Sequence, residues 1–172
     1  MTGIPLYPMD GSQPESETIL NAVSEQFGGF CPNFFKVLAH NPAALKGFTG
    51  LHQALGDEGV LAPVEREIVA LLMAVKHDCA YCGAAHTAMA RKLGLSDGDV
   101  AALKAGDALS DARQDRVRRA TLALLETHGA LDDATRDGLG LTTAELLEIT
   151  AVIGQFTWAT MVNRLAGTPV DF

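Results

Sequence analysis

The sequence predicts an all-α fold, and three observations carry that prediction. Apolar residues recur at helical spacing through most of the chain. Pro, Asn, Ser, Thr and Gly stand where helices begin and end. No stretch shows strand alternation of convincing length, and there is no Asn-Gly hairpin signal. In chain order, residues 1–14 are rich in Pro and Gly and read as an extended N-terminal arm. PESETILNAVSEQF (14–27) carries a helical apolar pattern and stops at Gly28-Gly29. Pro32 opens a short helical segment, PNFFKVLAH. Asn41 followed by Pro42 is an N-cap with Pro at the first helical position, which starts PAALKGFTGLHQALG. After a loop with Gly56 and Gly59, Pro63 starts a helix over about 63–76, and a second runs over about 79–93 to Gly94. Ser96 caps a short helix, and 111–127 form a charged amphipathic one ending near Gly129. Thr142-x-x-Glu145 has the form of a capping box and introduces the longest apolar segment, AELLEITAVIGQFTWATMVNRLAG. Connections are short, and no internal repeat or linker divides the chain, so 15–172 read as a single helical domain.

At 172 residues such a domain buries roughly 70% of its unfolded surface without staples or metals. Thirteen basic against twenty-one acidic residues give a formal net charge of −8. That balance argues against a nucleic-acid partner or an anionic membrane surface, both of which need a basic face. The one dense basic cluster, RQDRVRR at 113–119, is interleaved with acids and reads as a solvated helix face. Three cysteines are too few and too clustered for a secreted disulfide scaffold. MTGIPLYPMD shows no charged n-region or apolar h-region, and no apolar run has the length of a membrane span. These features predict a cytoplasmic, reducing location.

The chemistry lies around HDCAYCGAAH, residues 77–86. Zinc, a structural disulfide and a working thiol pair all use such residues. On a helix Cys79 and Cys82 are i and i+3, Cys82 and His86 are i and i+4, and the three share a face. Three ligands on consecutive turns of one helix surround a metal poorly, and a structural zinc site needs four. The helix N-terminus acting on Cys79 and an imidazole next to Cys82 both favour thiolate. The preceding helix contributes IVALLMAV (68–75), apolar on every side and so expected to be buried on every side. Glu65 and Glu67 flank its apolar stripe on opposite sides, and periodicity does not choose between them. If the chain reverses at His77-Asp78, the helices form an antiparallel hairpin. Glu67 then lies roughly 15 Å before the turn and His86 roughly 12 Å after it, at similar depth. A carboxylate that fixes an imidazole tautomer beside a thiol is the orienter–base–nucleophile arrangement.

Glu67-x11-Cys79-x2-Cys82-x3-His86 resembles the alkyl hydroperoxidase D (AhpD-like) branch of the carboxymuconolactone decarboxylase superfamily. CPNFFKVLAHNPAALKGF is similar to a segment of its peroxidase-related members, and FTWATMVNRLAG to their last helix, so the resemblance covers most of 28–167. It implies an all-helical subunit in homo-oligomers, trimers or hexamers with a dimer as the smaller alternative. It also implies thiol-dependent reduction of a hydroperoxide, with re-reduction by a dithiol protein or small thiol and with no organic cofactor or metal. By the same resemblance Cys82 is the peroxidatic thiol, Cys79 resolves it, and Glu67 with His86 relays the proton. The helix dipole alone would choose Cys79 as nucleophile. The best-known members carry a second histidine between the cysteines, where this chain has Tyr81, as a hydrogen-bond donor in its place or as pocket lining. Two other functions remain open: lyase chemistry of the carboxymuconolactone decarboxylase type, and a non-enzymatic redox-sensing oligomer. His40, His52, His77 and His128 read as surface residues, Cys31 as apolar filler, and Phe156 and Trp158 as core or subunit interface.

Overall fold

A computed structural model describes residues 3–172, and they are helical as the sequence predicts, with no strand among them. The helices are α1 (Pro14–Gln26), α2 (Asn33–Leu38), α3 (Pro42–Glu58), α4 (Pro63–Lys76), α5 (Ala80–Lys92), α6 (Asp97–Ala105), α7 (Ala112–Thr127), α8 (Asp133–Gly138) and α9 (Thr143–Ala166). The expected punctuation is present. Asn41 Oδ1 accepts from the Ala43 and Ala44 amides, Ser96 caps α6, and Thr142 and Glu145 bond reciprocally at the start of α9.

α4 lies at the middle of the molecule, between two hydrophobic clusters. Val69, Ala70 and Met73 face the larger one, shared with α1, α2, α3, α5, α7 and α9. Ile68, Leu71 and Leu72 face the smaller one, with Val100 and Leu103 of α6. This explains the run of consecutive apolar residues, since each side of the helix meets a neighbour. Each of the Val, Ile, Leu and Met side chains contributes about 1.5–3 kcal/mol on burial. The run does not stay buried to its end: Val75 emerges on the surface, 44% exposed, at the rim of a groove shared with Gly83 of α5 and Lys104 of α6.

One expectation about the charged residues needs correction. The 113–119 cluster is largely turned inward, because acids wait for it there. Arg113 bonds Glu65 at 2.6 Å and Glu145 at 2.6 Å, Arg118 is buried against Asp115, and Arg119 alone of the four arginines is exposed. The two carboxylates of α4 also part company. Glu65 is 4% exposed, and its carboxylate takes the Ala62 amide and the Arg113 guanidinium, so it fastens α4 to α7. Glu67 turns the other way, toward α5.

Residues 3–13 carry no helix and are strapped to the body; the first two residues of the expected arm lie outside the described ones. The Ile4 amide donates to Ala166 at the end of α9, and that of Tyr7 to Lys36 of α2. Gly3 is required by close approach, since a Cβ there would lie 1.9 Å from the Ala166 carbonyl oxygen.

Candidate active site

α4 and α5 form the antiparallel hairpin that the sequence argument needs. His77 ends α4, and Asp78 takes φ +48°, a left-handed conformation that reverses the chain. Arg164 of α9 donates through its guanidinium to the carbonyls of His77 and Asp78, tying the turn to the last helix. Cys79 follows as the N-cap of α5, its Sγ accepting the Cys82 amide at 3.2 Å. Cys79 and Cys82 are joined in a disulfide, with Cα atoms 5.3 Å apart. Both sulfurs thus sit at the positive end of the α5 dipole, which favours negative charge on either after reduction.

Across the hairpin, His86 Nδ1 and Glu67 Oε2 are 2.8 Å apart, with both side chains mostly sheltered at 16% and 13% exposure. A carboxylate on Nδ1 holds the imidazole with Nε2 available for proton transfer. Phe156 of α9 packs edge-on against the His86 ring at 4.5 Å and fixes its plane. The core role read for Phe156 is therefore also a positioning one.

Cys82 and Cys79 look onto different spaces. Cys82 lines a cavity together with His86, Glu67, Tyr81, His52 and Asn163. The rest of its wall is strongly aromatic, from Phe27, Phe34, Phe35, Phe48, Phe156 and Phe172, and no Lys or Arg lines it. Cys79 lines a separate and more open groove with Leu71, Val75, Gly83 and Lys104.

Tyr81 is buried, and its hydroxyl accepts the Phe34 amide at 3.2 Å. Burial pushes its pKa up, the Phe34 amide opposes this, and Asp171 adds to the rise, so the phenol stays neutral. The ring lines the cavity, braced edge-on by Phe172 at 5.7 Å.

Three contributors were not visible in the sequence. Asn163 is 5% exposed, and its Nδ2 donates to Cys82 Sγ at 3.4 Å. The C-terminal residues fold over the cavity: Asp171 accepts the Asn33 amide at 2.7 Å, and Phe172 packs edge-on against Phe30 and Tyr81. His52, read as a surface histidine, is exposed along one side yet lines the cavity and stacks on Phe48. Its ring is crowded enough that desolvation lowers its pKa despite the opposing pull of Glu67. The readings of Cys31 and His40 hold. Cys31 is buried in the larger cluster, and burial raises its thiol pKa against the pull of Lys36. His40 is on the surface, bonded to the Pro5 carbonyl.

An all-helical hairpin presenting a cysteine pair, a histidine and a carboxylate defines a class of thiol-bearing helical proteins. The chain belongs to the carboxymuconolactone decarboxylase family, which it matches over residues 42–127. Solved structures give the same fold over nearly the whole chain. An uncharacterized peroxidase-related protein from Silicibacter sp. TM1040 is 24% identical, with a TM-score of 0.80 over 99% of this chain and 92% of that one. An uncharacterized peroxidase-related protein from Ralstonia eutropha JMP134, described as an alkylhydroperoxidase AhpD core, is 22% identical, with a TM-score of 0.86 over 97% and 90%. The debrominase Bmp8, a cysteine-to-alanine variant in complex with 2,3,4-tribromopyrrole, is 19% identical, with a TM-score of 0.75 over 99% and 92%. No curated protein matches the sequence. Among the described residues no helix is long and apolar enough to cross a membrane.

Proposed function

We propose that the protein is a thiol-dependent peroxidase that reduces organic hydroperoxides through Cys82 and Cys79. The observation that carries this reading is the placement of Cys82, alone of the two cysteines, in a cavity with a Glu67-bonded His86. In the reduced protein His86 takes the Cys82 proton. The thiolate attacks the terminal oxygen of ROOH, the O–O bond breaks, and sulfur becomes a sulfenic acid. The departing RO− takes the proton back from His86. Cys79 attacks the sulfenic sulfur and expels water, which leaves the Cys79–Cys82 disulfide. The sum is ROOH plus two thiols to ROH, water and a disulfide.

A dithiol protein or small thiol reverses the oxidation. Its thiolate attacks Cys79 from the open groove and displaces Cys82, the better leaving group beside His86. The aromatic wall without a cationic residue favours a neutral, apolar hydroperoxide over an anionic one. No metal or organic cofactor takes part, and the reducing chemistry suits the cytoplasm. Tyr81 serves as cavity wall.

Homo-oligomerisation completes the proposal. The outer face of α9 presents Leu147, Met161 and Leu165 at 64%, 63% and 75% exposure, an apolar strip suited to a second copy of the chain. Light scattering that returned the mass of a single chain would overturn this part.

The decisive experiment compares wild type with Cys82→Ser in consumption of cumene hydroperoxide with dithiothreitol as reductant. Turnover is expected in the first and none in the second. Equal rates would overturn the proposal; an activity insensitive to thiol alkylation would favour the lyase chemistry, and an oxidisable pair without peroxide consumption would favour a redox sensor. The aromatic wall also suits a planar haloaromatic ring, as in the debrominase complex. In that second reading the thiolate takes the halogen, the carbanion is protonated, and Cys79 displaces halide to form the disulfide. Halide release from a brominated pyrrole measures it.

A further inference from the structure

Asn163 has a hydrogen-bonding pattern that packing does not explain. It lies on α9, 5% exposed, in the wall of the Cys82 cavity. Its Nδ2 donates to Cys82 Sγ at 3.4 Å, while its Oδ1 is buried and accepts no hydrogen bond from the described residues. Buried amides ordinarily satisfy both ends, and an acceptor left bare at a cavity wall calls for a donor arriving with the occupant. The amide orientation follows from charge: only the NH2 end can face a sulfur that becomes a thiolate. The oxygen is then the end left for an incoming donor.

α9 is anchored to the α4–α5 turn right beside this side chain. Arg164, the next residue, is anchored on the His77 and Asp78 carbonyls that precede Cys79. The amide therefore meets Cys82 from a helix other than the one that carries the cysteine.

We propose that Asn163 is a catalytic residue with two contacts: its Nδ2–H stabilises the Cys82 thiolate, and its Oδ1 receives the terminal O–H of the hydroperoxide. The second contact rests on the peroxidase reading; the first does not. An alkyl hydroperoxide has one donor, on the oxygen that the thiolate attacks. A single amide that holds both the sulfur and that O–H sets attacking and attacked atoms side by side. The O–O bond then lies between sulfur and the leaving alkoxide, which His86 protonates. Asn163 gains and loses no proton in the step, and the balance of atoms and electrons is as given above.

The test uses reduced protein in a Cys79→Ser background, with Asn163→Leu and the near-isosteric Asn163→Asp. Alkylation of Cys82 by iodoacetamide, mapped by mass, is followed against pH to read thiolate formation. Loss of a hydrogen bond to a charged group should slow alkylation at neutral pH by about tenfold or more in both variants. The full-cysteine proteins are then assayed with cumene hydroperoxide, where KM should rise and kcat fall together. Thiolate profiles unchanged in both variants would overturn the proposal whatever the peroxidase assay gives. Shifted profiles in a protein that consumes no hydroperoxide would leave the thiolate contact standing and overturn the substrate contact. Asn163→Asp guards against misfolding of the leucine variant.

Discussion

Glu67 and His86 show how much a single pairing carries at the scale of one residue. The 2.8 Å contact commits Nδ1 and leaves Nε2 for the cavity. Glu67→Gln keeps the shape and removes the charge that steadies the imidazolium formed when Cys82 gives up its proton. Hydroperoxide turnover by Glu67→Gln should fall on the order of 10²-fold, with the fold and the Cys79–Cys82 pair intact. A rate within a factor of two of wild type would remove Glu67 from the relay. At this scale the sequence was informative where spacing set the neighbours. The similar depth of Glu67 and His86 on facing helices followed from rise per residue and an antiparallel turn. Asn163 did not follow, because nothing in the chain between 82 and 163 says that α9 crosses the start of α5. Nor did the choice between Glu65 and Glu67, which depends on Arg113 lying on one side of α4 and His86 on the other.

Among the elements, the start of α5 is the working part. Its N-cap is one cysteine and its third residue the other, so one helical turn presents two sulfurs to two different spaces. Gly83 lies on the groove side, and a Cβ there would meet nothing within 4 Å. Gly83→Leu should therefore be accommodated while crowding the approach to Cys79. Stopped-flow oxidation of the reduced protein by hydroperoxide should proceed as in wild type, whereas reduction of the disulfide by a dithiol protein should slow several-fold. Slowing of the oxidative step instead would place the reductant and the peroxide on the same side. The helix boundaries were legible because caps are local: Asn41, Ser96 and Thr142 each bond amides two or three residues on. The 113–119 cluster misled for the converse reason. The partners of Arg113, Glu65 and Glu145, are remote in sequence, and a local pattern of charge reads as solvated until they are seen.

For the whole molecule, acid stability tests how the smaller hydrophobic cluster is fastened. Asp99 accepts the Ser110 amide at 2.8 Å and the Ser110 and Ser96 hydroxyls at 2.9 and 2.7 Å, joining α6 to the approach to α7. The Ser110 amide and then the Ser96 hydroxyl hold its carboxyl below the usual carboxylate range. A folded pKa below the unfolded one means stability that is complete above the unfolded value and lost as pH falls through the folded value. The melting temperature of wild type should drop on acidification below about pH 4 more steeply than that of Asp99→Asn, which lacks this proton linkage. Parallel acid limbs in thermal melts from pH 7 to pH 2.5 would show that Asp99 does not contribute.

By itself the sequence determined the helical class, the caps, the burial of most of the α4 apolar run and the shared face of Cys82 and His86. All of these rest on periodicity and on hydrogen bonds that reach at most four residues. Cys79, the N-cap, leaves the face the spacing gave it. Tertiary structure alone decided which carboxylate enters the site, that the two cysteines open onto different spaces, that the chain end closes the cavity, and that Asn163 meets the sulfur. Each of these joins residues distant in sequence. Their meeting depends on how α2, α7 and α9 pack around the α4–α5 hairpin, which no local pattern encodes.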